Sequence, residues 1–234
     1  MTLNFTMKNL VVLSGAGISA ESGLKTFRDS NGLWENHKIE DVATPTGWNN
    51  NPELVLEFYN QRRKQASLAK PNMAHKALAR LENKFRVTIV TQNVDDLHEK
   101  AGSSVVYHLH GELNKARSTL DPNLTYKIND SNISMGDLCE KGYQLRPDIV
   151  WFGEPVPMIE KVITYFRSAD ILIVIGTSLS VYPASGLIDH VNSFADCYYI
   201  DPNANENTLR DDFTIIFKQA SVGTKELVNI LLRS

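Results

Sequence analysis

The sequence predicts an α/β protein, built as a doubly wound parallel sheet with a smaller inserted lobe. The main observation is a set of short apolar runs rich in β-branched residues, which are typical of strands buried on both faces. These runs cover residues 10–13, 87–90, 105–109, 171–175, 198–200 and 213–217. Helical patterns lie between them, the clearest over residues 52–68 and 73–81. Strands that alternate with helices indicate parallel strands joined by helical crossovers.

Length, charge and cysteine content limit the function classes. The chain has 234 residues, enough for one domain with an inserted module, and its net charge is −3. A protein that tracks the nucleic-acid backbone is normally basic, so no nucleic-acid partner is expected. No apolar run approaches the ~20 residues that span a bilayer. No signal-peptide pattern opens the chain, so we expect a cytoplasmic protein without membrane contact. Two cysteines, Cys139 and Cys197, are too few for a disulfide framework or a four-thiolate zinc site.

Small or polar residues follow nearly every predicted strand. Ligands of open α/β sheets bind beyond the carboxyl ends of the strands, so we expect one crevice there. Two long segments, residues 27–71 and 114–147, do not follow the alternation of strands and helices, and the second is polar with two turn clusters. We expect both segments to leave the sheet and to build the small lobe together.

The first predicted strand leads into a glycine loop. Residues 15–20 read GAGISA, which fits the G-x-G-x-x-G/A pattern of dinucleotide-binding loops. In that pattern the glycines permit a tight turn and a close approach of the backbone to a pyrophosphate. A plain strand-to-helix turn is the alternative. A dehydrogenase would need a second strand before its ribose-binding acid, and none precedes Glu40 and Asp41, so hydride transfer is not supported.

Polar side chains also end the second and third strands. Residues 92–95, with the sequence QNVD, set amides beside a carboxylate and could hold a planar carboxamide, although a local cap of the loop is an alternative. His108 and His110 share one face of a strand. Their spacing suits either a metal pair completed by His98 or Asp95, or one structural histidine and one general base at the strand end.

Five motifs in order resemble those of the sirtuins. GAGISAESG at residues 15–23, followed by FR at 27–28, resembles the opening motif of that family, and TQNVDDLH at 91–98 resembles the second. LHG at 109–111, VWFGE at 150–154 and GTSL at 176–179 follow in the order of the family. The match runs over nearly the whole chain. It implies an NAD-dependent protein-lysine deacylase with a Rossmann-like domain and a smaller lobe.

The resemblance also implies a reaction and the residues that carry it. The acyl-lysine oxygen would attack C1′ of the nicotinamide-side ribose, so that NAD is consumed as a cosubstrate and the products are lysine, nicotinamide and O-acyl-ADP-ribose. His110 would be the base, with Asn93 and Asp95 completing the catalytic set. The implied NAD-binding residues are Gly15, Ala16, Gly17, Ala20, Phe27, Arg28, Gln92, Asn93, Asp95, Gly176, Thr177, Ser178 and Ala220.

The implied partners are acylated-lysine proteins or peptides. Val150, Phe152 and Gly153 would line the acyl-lysine tunnel, and the substrate peptide would add as an extended strand. Tyr59 and Arg62 lie three residues apart and so share a helix face. They resemble the Tyr-x-x-Arg pair of sirtuins that accept succinyl and malonyl lysine, because a guanidinium and a phenol can bind a carboxylate. A solvated basic run is the alternative.

Further positions follow from the resemblance, and some depart from it. Ala43 and Trp48 stand where family members line the acyl pocket. Most sirtuins carry four zinc cysteines between the third and fourth motifs, whereas this chain has only Cys139 there and Ser118 at the position expected for the first. No zinc or other metal is therefore expected. The family often has an Asn near the end of the fifth strand, and residues 199–202 read YIDP instead, so the ligand of the adenosine ribose is left open.

The expected domains follow the two excursions. Residues 1–27, 72–116 and 148–234 would form the Rossmann-like NAD-binding domain, and residues 28–71 and 117–147 the inserted lobe, a zinc-ribbon remnant without zinc. We expect a monomer. Three alternatives to the deacylase are a mono-ADP-ribosyltransferase, a non-catalytic NAD or ADP-ribose-binding module, and a metallohydrolase that uses His98, His108 and His110. The binding module would lack the base or the amide cluster, and both are present.

Overall fold

The elements of the chain are as follows. The computed structural model describes residues 7–25, 33–34, 36–128, 131–204 and 209–233. Its strands are β1 (Asn9–Ser14), β2 (Leu33–Trp34), β3 (His37–Lys38), β4 (Arg86–Thr91), β5 (Val106–His108), β6 (Gly111–Ser118), β7 (Thr125–Lys127), β8 (Leu145–Ile149), β9 (Ile171–Ile175), β10 (Asp196–Ile200) and β11 (Phe213–Ile216). Its helices are α1 (Gly17–Ala20), α2 (Ile39–Val42), α3 (Pro45–Asn50), α4 (Pro52–Leu68), α5 (Met73–Arg80), α6 (Leu97–Lys100), α7 (Met158–Arg167) and α8 (Ala220–Arg233), with 3-10 helices at Leu81–Asn83 and Ala184–His190.

Six strands form one parallel sheet in the order β11-β10-β9-β1-β4-β5. Counted along the chain within this sheet, the order is 3-2-1-4-5-6, the doubly wound arrangement that the sequence predicts. Each of the six predicted strands is present, and the predicted fold class is confirmed. The order reverses between β1 and β9, so a crevice opens at their carboxyl ends, beside the glycine loop.

Both faces of the sheet are covered. Side chains of a strand alternate between its two faces, and β1 shows this directly. Leu10 and Val12 lie in a core with residues of α5 and α8, whereas Val11 and Leu13 lie in a second core with residues of α7. A strand buried on both faces needs a continuous apolar run, and this is why the strands of the sheet can be predicted from the sequence.

Asparagine caps set the beginnings of the two helices that the sequence predicts. The side chain of Asn51 accepts a hydrogen bond from the Leu54 amide at 3.1 Å, and Pro52 occupies the first turn of α4. The side chain of Asn72 accepts from the Ala74 amide at 2.9 Å and begins α5. The predicted helix over residues 52–68 has the observed bounds of α4.

The small lobe contains a sheet that the sequence does not predict. Strands β7-β6-β8 are antiparallel, and β2 pairs with β3 in a short hairpin. Residues of α4, including Phe58 and Leu56, pack in cores with residues of this sheet. The expected domain boundaries at residues 116–117 and 147–148 lie inside β6 and β8.

Gly111 makes the passage from the main sheet into β6. Its φ is +84°, and a Cβ there would overlap the carbonyl oxygen of Asp148 in the neighbouring strand β8. Only glycine has neither the conformational nor the steric obstacle at this position. The chain therefore turns sharply after His110, and that residue remains at the mouth of the crevice.

The structure bears on two further expectations. None of the helices among the described residues is long and apolar enough to cross a bilayer. Cys139 in the small lobe and Cys197 in β10 are both free thiols and both buried.

Candidate functional site

One cleft of about 600 Å³ lies along the carboxyl ends of the parallel strands. The volume is within the range of small-molecule sites. Phe27 and Arg28 lie outside the described residues. The predicted cosubstrate-binding, catalytic and tunnel residues that the structure describes line the cleft, as do Tyr59 and Arg62: Gly15, Ala16, Gly17, Ala20, Tyr59, Arg62, Gln92, Asn93, Asp95, His110, Val150, Phe152, Gly153, Gly176, Thr177, Ser178 and Ala220.

The glycine loop packs directly against the turn that follows β9. A Cβ on Gly17 would stand 2.7 Å from the Cα of Gly176, and one on Gly15 would stand 2.7 Å from the Cβ of Thr177. The amide of Gly17 donates to the carbonyl of Gly176 at 2.8 Å. Gly176 has a φ of +63°, and a Cβ there would overlap the amide of Ile18. The three glycines thus bring two strand ends into backbone contact at the crevice.

A chain of hydrogen bonds ties the amide and carboxylate cluster to α1, to the end of β4 and to the turn after β9. Ser19 Oγ donates to Asp95 Oδ2 at 3.1 Å and accepts from Asn93 Nδ2 at 3.1 Å. The amide of Asn93 donates to Thr91 Oγ1 at 3.0 Å. Gln92 Nε2 donates to Thr177 Oγ1 at 3.0 Å, across from β4 to the turn after β9. The cluster is therefore held in one arrangement by the strand ends.

Asp95 is a buried carboxylate in this cluster. Burial raises the pKa of its carboxyl group, and hydrogen bonds from the Leu97 amide and from Ser19 oppose that shift. A carboxylate in such a place accepts hydrogen bonds strongly, because water does not compete for it.

The His110 side chain is oriented by the backbone. Its Nδ1 lies 3.1 Å from the carbonyl oxygen of Gln92. A carbonyl oxygen only accepts, so Nδ1 carries the proton and Nε2 of the neutral ring carries a lone pair. Burial lowers the pKa of His110, which favours that neutral ring. The arrangement can take up a proton at Nε2.

His75, His98 and His108 contact other groups of the protein. His98 Nε2 lies 2.9 Å from Ser14 Oγ, and its ring lies edge-on to His75 with centroids 4.9 Å apart. Burial lowers the pKa of His98 well below its usual value and that of His75 to about 4. Both nitrogens of His108 contact oxygen acceptors. Within the described part of the chain, no group of three or more His, Cys, Asp or Glu side chains is arranged to hold a metal ion.

The far end of the cleft is built by side chains of α4. Tyr59 and Arg62 are both buried, and Arg63 beside them is buried as well. Arg63 Nε donates to the Leu113 carbonyl at 2.6 Å, which fastens α4 to β6, and its NH1 donates to Asn60 Oδ1 within α4 at 2.7 Å. The alternative of a solvated basic run is therefore wrong for the two arginines, although it holds for exposed Lys64.

A hydrogen bond from Trp151 orients the phenol of Tyr59. Trp151 Nε1 donates to Tyr59 Oη at 3.1 Å, so the proton of the phenol is free to donate elsewhere. Burial raises the pKa of Tyr59, and the group stays protonated. Ala43 lines the cleft, as the resemblance implies. Trp48 does not line it and packs instead against Trp151, with ring centroids 5.7 Å apart.

An ion-pair network under the cleft was not predicted. Both guanidinium NH groups of Arg146 donate to the carboxylate of Glu154 at 2.8 Å, and Arg117 donates to it at 3.0 Å. The same carboxylate accepts from the Trp151 amide at 2.8 Å, and the Arg146 Cζ stands 3.4 Å from the centroid of the Trp151 ring. The network fixes the backbone of residues 150–154. Its only trace in the sequence is the charge of Glu154 within the fourth motif.

Polar residues also line the cleft beyond the end of β10. Asp201 and Asn203 follow β10 and line the cleft, and the Asn203 amide donates to Asp201 Oδ1 at 2.8 Å. The segment over which the sequence left the ribose ligand open therefore does border the site.

The region where zinc cysteines are expected in the family is closed by direct contacts. Cys139 Sγ and Ser118 Oγ lie 3.4 Å apart in the buried centre of two facing turns. Lys141 and Asp121 form an ion pair across the same turns at 3.1 Å. The Thr119 amide also donates to the Gln144 carbonyl at 3.0 Å.

Comparison with known proteins identifies close relatives. The Sir2 family model matches residues 15–183. The chain is 54% identical over 226 residues to an NAD-dependent protein deacylase of Helicobacter pylori strain J99, covering 97% of this chain and 96% of that protein. It is 52% identical over 231 residues to an NAD-dependent protein deacylase of Bacteroides thetaiotaomicron, covering 97% and 99%.

Solved structures agree over the same length. A Sir2 homologue in complex with NAD superposes with a TM-score of 0.86 at 38% identity, covering 97% of this chain and 90% of that one. A mutant Sir2 homologue in complex with 2′-O-acetyl-ADP-ribose gives 0.86 at 37% identity, with 97% and 93% covered. A mutant Sir2 in complex with a peptide and NAD gives 0.77 at 27% identity, with 97% and 95% covered.

Proposed function

The chain belongs to the Sir2 family of NAD-dependent protein deacylases, and from this premise we propose that it removes succinyl and malonyl groups, as well as acetyl groups, from protein lysines. The observation that carries the acyl range is the buried pair Tyr59 and Arg62 on one face of α4, at the end of the cleft. The substrates are acylated-lysine proteins or peptides, and the acyl acceptor is the ADP-ribose part of NAD.

The chemistry of the donors and acceptors fits a dinucleotide. The cleft lies at the switch point of the sheet, where dinucleotides bind in this architecture. Asn93 and Asp95 offer a donor and an acceptor to a carboxamide, while the loops around Gly17 and Gly176 allow the backbone to approach phosphate closely. Ala220 at the beginning of α8 borders the adenine side. A complex of NAD with a Sir2 homologue of the same fold supports this placement.

NAD, when bound, supplies an activated ribose carbon with nicotinamide as the leaving group. His110 takes up a proton at Nε2, because Nδ1 is already committed to the Gln92 carbonyl. Its lowered pKa keeps the ring ready to act as a base at neutral pH. Val150, Phe152 and Gly153 line the same cleft as His110, Tyr59 and Arg62. They are the residues proposed to form the wall along which an acylated lysine lies.

The acyl end of the cleft is suited to a terminal carboxylate. The guanidinium of Arg62 supplies positive charge and planar donors, and the phenol of Tyr59 supplies one more donor. Cation–π contact with Phe58, at 5.0 Å from the ring centroid, and the rigid attachment of α4 by Arg63 orient the Arg62 side chain. An acetyl group has no charge to use these donors, so it gains little from them.

The test is a substitution of Arg62 by Met, assayed with matched acetyl-, malonyl- and succinyl-lysine peptides. We expect kcat/KM for the succinyl and malonyl peptides to fall about 10- to 100-fold, since a charge-assisted hydrogen bond contributes about 1.5–3 kcal/mol. We expect the value for the acetyl peptide to stay within about threefold. Lys64→Met is the control on an exposed position of the same helix. An equal fall for all three peptides would remove Arg62 from the acyl pocket.

We further propose that the small lobe needs no zinc. The contact of Cys139 with Ser118 and the ion pair of Lys141 with Asp121 hold together the segment in which most sirtuins carry their zinc cysteines. One cysteine at this place falls short of the thiolate count of structural zinc sites. The lobe is stabilised instead by these contacts and by the apolar cores beneath α4.

A further inference from the structure

His108 stands two residues before the proposed base, and its ring makes two short hydrogen bonds. Nδ1 lies 2.8 Å from the carbonyl oxygen of Asn93, and Nε2 lies 2.8 Å from Oε1 of Glu99. A carbonyl oxygen and an ionised carboxylate only accept hydrogen bonds. Both ring nitrogens must therefore donate, and a ring that donates twice is an imidazolium. His108 is buried, so this is a charge inside the protein.

The contacts of His108 reach the residues proposed to hold nicotinamide. Asn93 is fixed at three atoms: its carbonyl by His108, its amide by Thr91 and its side-chain amide by Ser19. Asp95, two residues on, is a buried carboxylate whose own hydrogen-bond donors, Ser19 Oγ and the Leu97 amide, are neutral. A buried carboxylate is stabilised by a nearby positive charge: burial raises the pKa of Asp95, and the charge on His108 opposes that shift.

We propose that His108 is a positioning residue that works as a buried imidazolium paired with Glu99, orienting Asn93 and balancing the charge of Asp95. The reaction then needs two histidines in opposite states at the same time, with His108 protonated and His110 neutral. This inference rests on the proposed role of His110 as the base.

The surroundings of His108 are consistent with the charged state. Burial lowers the pKa of His108, but the hydrogen bond and charge of Glu99, the Asn93 carbonyl and the charge of Glu112 together outweigh it and raise the pKa. Lys115 acts on Glu99, and His98 on the other side is held neutral by burial. The pKa of Glu99 is lowered in turn: burial raises it, and the hydrogen bond from His108 more than compensates.

The two histidines set opposite limits on the pH dependence. The pKa of His110 is lowered, so its neutral form is populated down to pH values below 6.5, the ordinary value. The pKa of His108 is raised, so its charged form persists above the same value. Deacylation is then fastest at pH values between the pKa of His110 and that of His108. The rate falls on the acid limb as His110 gains a proton, and on the alkaline limb as His108 loses one.

The first experiment is a pH profile of kcat/KM for the full-length enzyme and for Glu99→Gln. The amide of Gln has the size of the carboxylate but no charge, so His108 loses its counter-ion and its proton leaves at lower pH. We expect kcat/KM on the alkaline limb to fall about tenfold relative to wild type, the effect of a shift of about one pH unit. On the acid limb we expect less than about twofold change.

Glu112→Gln is the matched control, because Glu112 acts on His108 through charge alone. We expect it to move the alkaline limb in the same direction and by less. Thermal melting of both variants shows whether they fold. Equal alkaline limbs for wild type and Glu99→Gln would contradict the proposal, and so would a change confined to the acid limb.

The second experiment does not depend on activity. Nuclear magnetic resonance of ¹⁵N-histidine-labelled enzyme, assigned by comparison with His108→Gln, follows the two ring nitrogens of His108 through a pH titration. We expect both to be protonated at neutral pH in the wild type. A neutral His108 ring at that pH would overturn the proposal whatever the kinetics. A charged His108 ring, found together with a wild-type deacylation rate in the His110→Ala variant, would instead refute only the assignment of His110 as the base.

Discussion

The two halves of the cleft are built by different means. The half proposed to bind NAD, the NAD half, is made of strand ends and backbone turns, where Gly15, Gly17 and Gly176 leave no room for an added carbon. The acyl half is made of long side chains, Tyr59 and Arg62, whose positions depend on other side chains. In the proposed function, the first half selects its ligand by shape, and the second selects the acyl group by charge and hydrogen bonding. A single chain can thus keep its cosubstrate fixed while its acyl preference is adjusted.

The contrast also appears in how each half is supported. The NAD half is fastened by hydrogen bonds between neighbouring strands, such as Ser14 Oγ to Thr91 Oγ1 at 2.9 Å. The acyl half is fastened by the ion pair of Arg146 with Glu154, where burial raises the pKa of Glu154 and the bonds from Arg146 more than offset it. A substitution that introduces a steric clash should therefore impair the NAD half, and one that removes a charge should impair the acyl half.

The largest effect is expected where the halves meet. His110→Ala removes the group that takes up the proton, and general bases contribute about 10²- to 10⁴-fold, so we expect kcat to fall by about 10³-fold. NAD binding, measured by calorimetry, should persist because the ring does not hold the dinucleotide. His190→Ala, at an exposed histidine, should leave kcat unchanged. Turnover close to wild type in His110→Ala would show that another group is the base.

A steric clash in the NAD half is expected to have the next largest effect. The Cβ of Gly17→Ala would press on the backbone of Gly176, and overpacking of this kind costs about 1–3 kcal/mol. We expect that loss in the free energy of unfolding, measured with urea, and a rise in KM for NAD with little change in KM for peptide. Gly186→Ala is the control, since its Cβ would meet its nearest neighbour at an ordinary 3.5 Å. Equal stabilities of the two variants would contradict the packing argument.

The loss of a charge in the acyl half is expected to have a smaller effect. Glu154→Gln keeps the size of the side chain but weakens four hydrogen bonds, so the 150–154 segment loses part of its orientation. We expect KM for the acyl peptide to rise about tenfold, equivalent to about 1.4 kcal/mol, with KM for NAD almost unchanged. Glu140→Gln, on an exposed turn of the small lobe, is the control. A rise in KM for NAD alone would reverse the assignment of the two halves.

No effect is expected from metal removal. Dialysis against a chelator should leave kcat and Tm unchanged, because direct contacts between Ser118 and Cys139 and between Lys141 and Asp121 close the small lobe. Metal analysis before and after dialysis accompanies the assay. Loss of stoichiometric zinc together with a fall in Tm would show that the lobe contains a metal site.

The residues of the NAD half can be predicted from the sequence, whereas the supporting contacts of the acyl half are much harder to predict. Strands such as Ile171–Ile175 are apolar throughout because both faces are covered, and the polar residues that follow them lie at one edge by topology alone. The motifs at residues 15–23 and 91–98 are therefore local signals of a site formed by distant segments. The sequence predicts that the glycines permit a close approach of the backbone to a pyrophosphate, and the structure shows that they also leave room for the neighbouring turn at Gly176 and Thr177.

The small sheet escapes prediction because its strands carry polar residues on both faces. Strand β6, with sequence GELNKARS, has neither a continuous apolar run nor a clean alternation. The pairing of Arg146 with Glu154 and that of His108 with Glu99 depend on tertiary contacts, and neither spacing is a recognised pattern. The one available signal is the shared strand face of His108 and His110, which fits either a metal pair or a structural histidine beside a base.

The most direct test of the central claim is a product balance on one succinyl-lysine peptide. The enzyme is incubated with the peptide and NAD, and mass spectrometry quantifies free lysine peptide, nicotinamide and O-succinyl-ADP-ribose over time. We predict that the three form in equal amounts and that none forms without NAD. Release of free succinate without nicotinamide, or transfer of ADP-ribose to protein in place of the acyl product, would contradict the account.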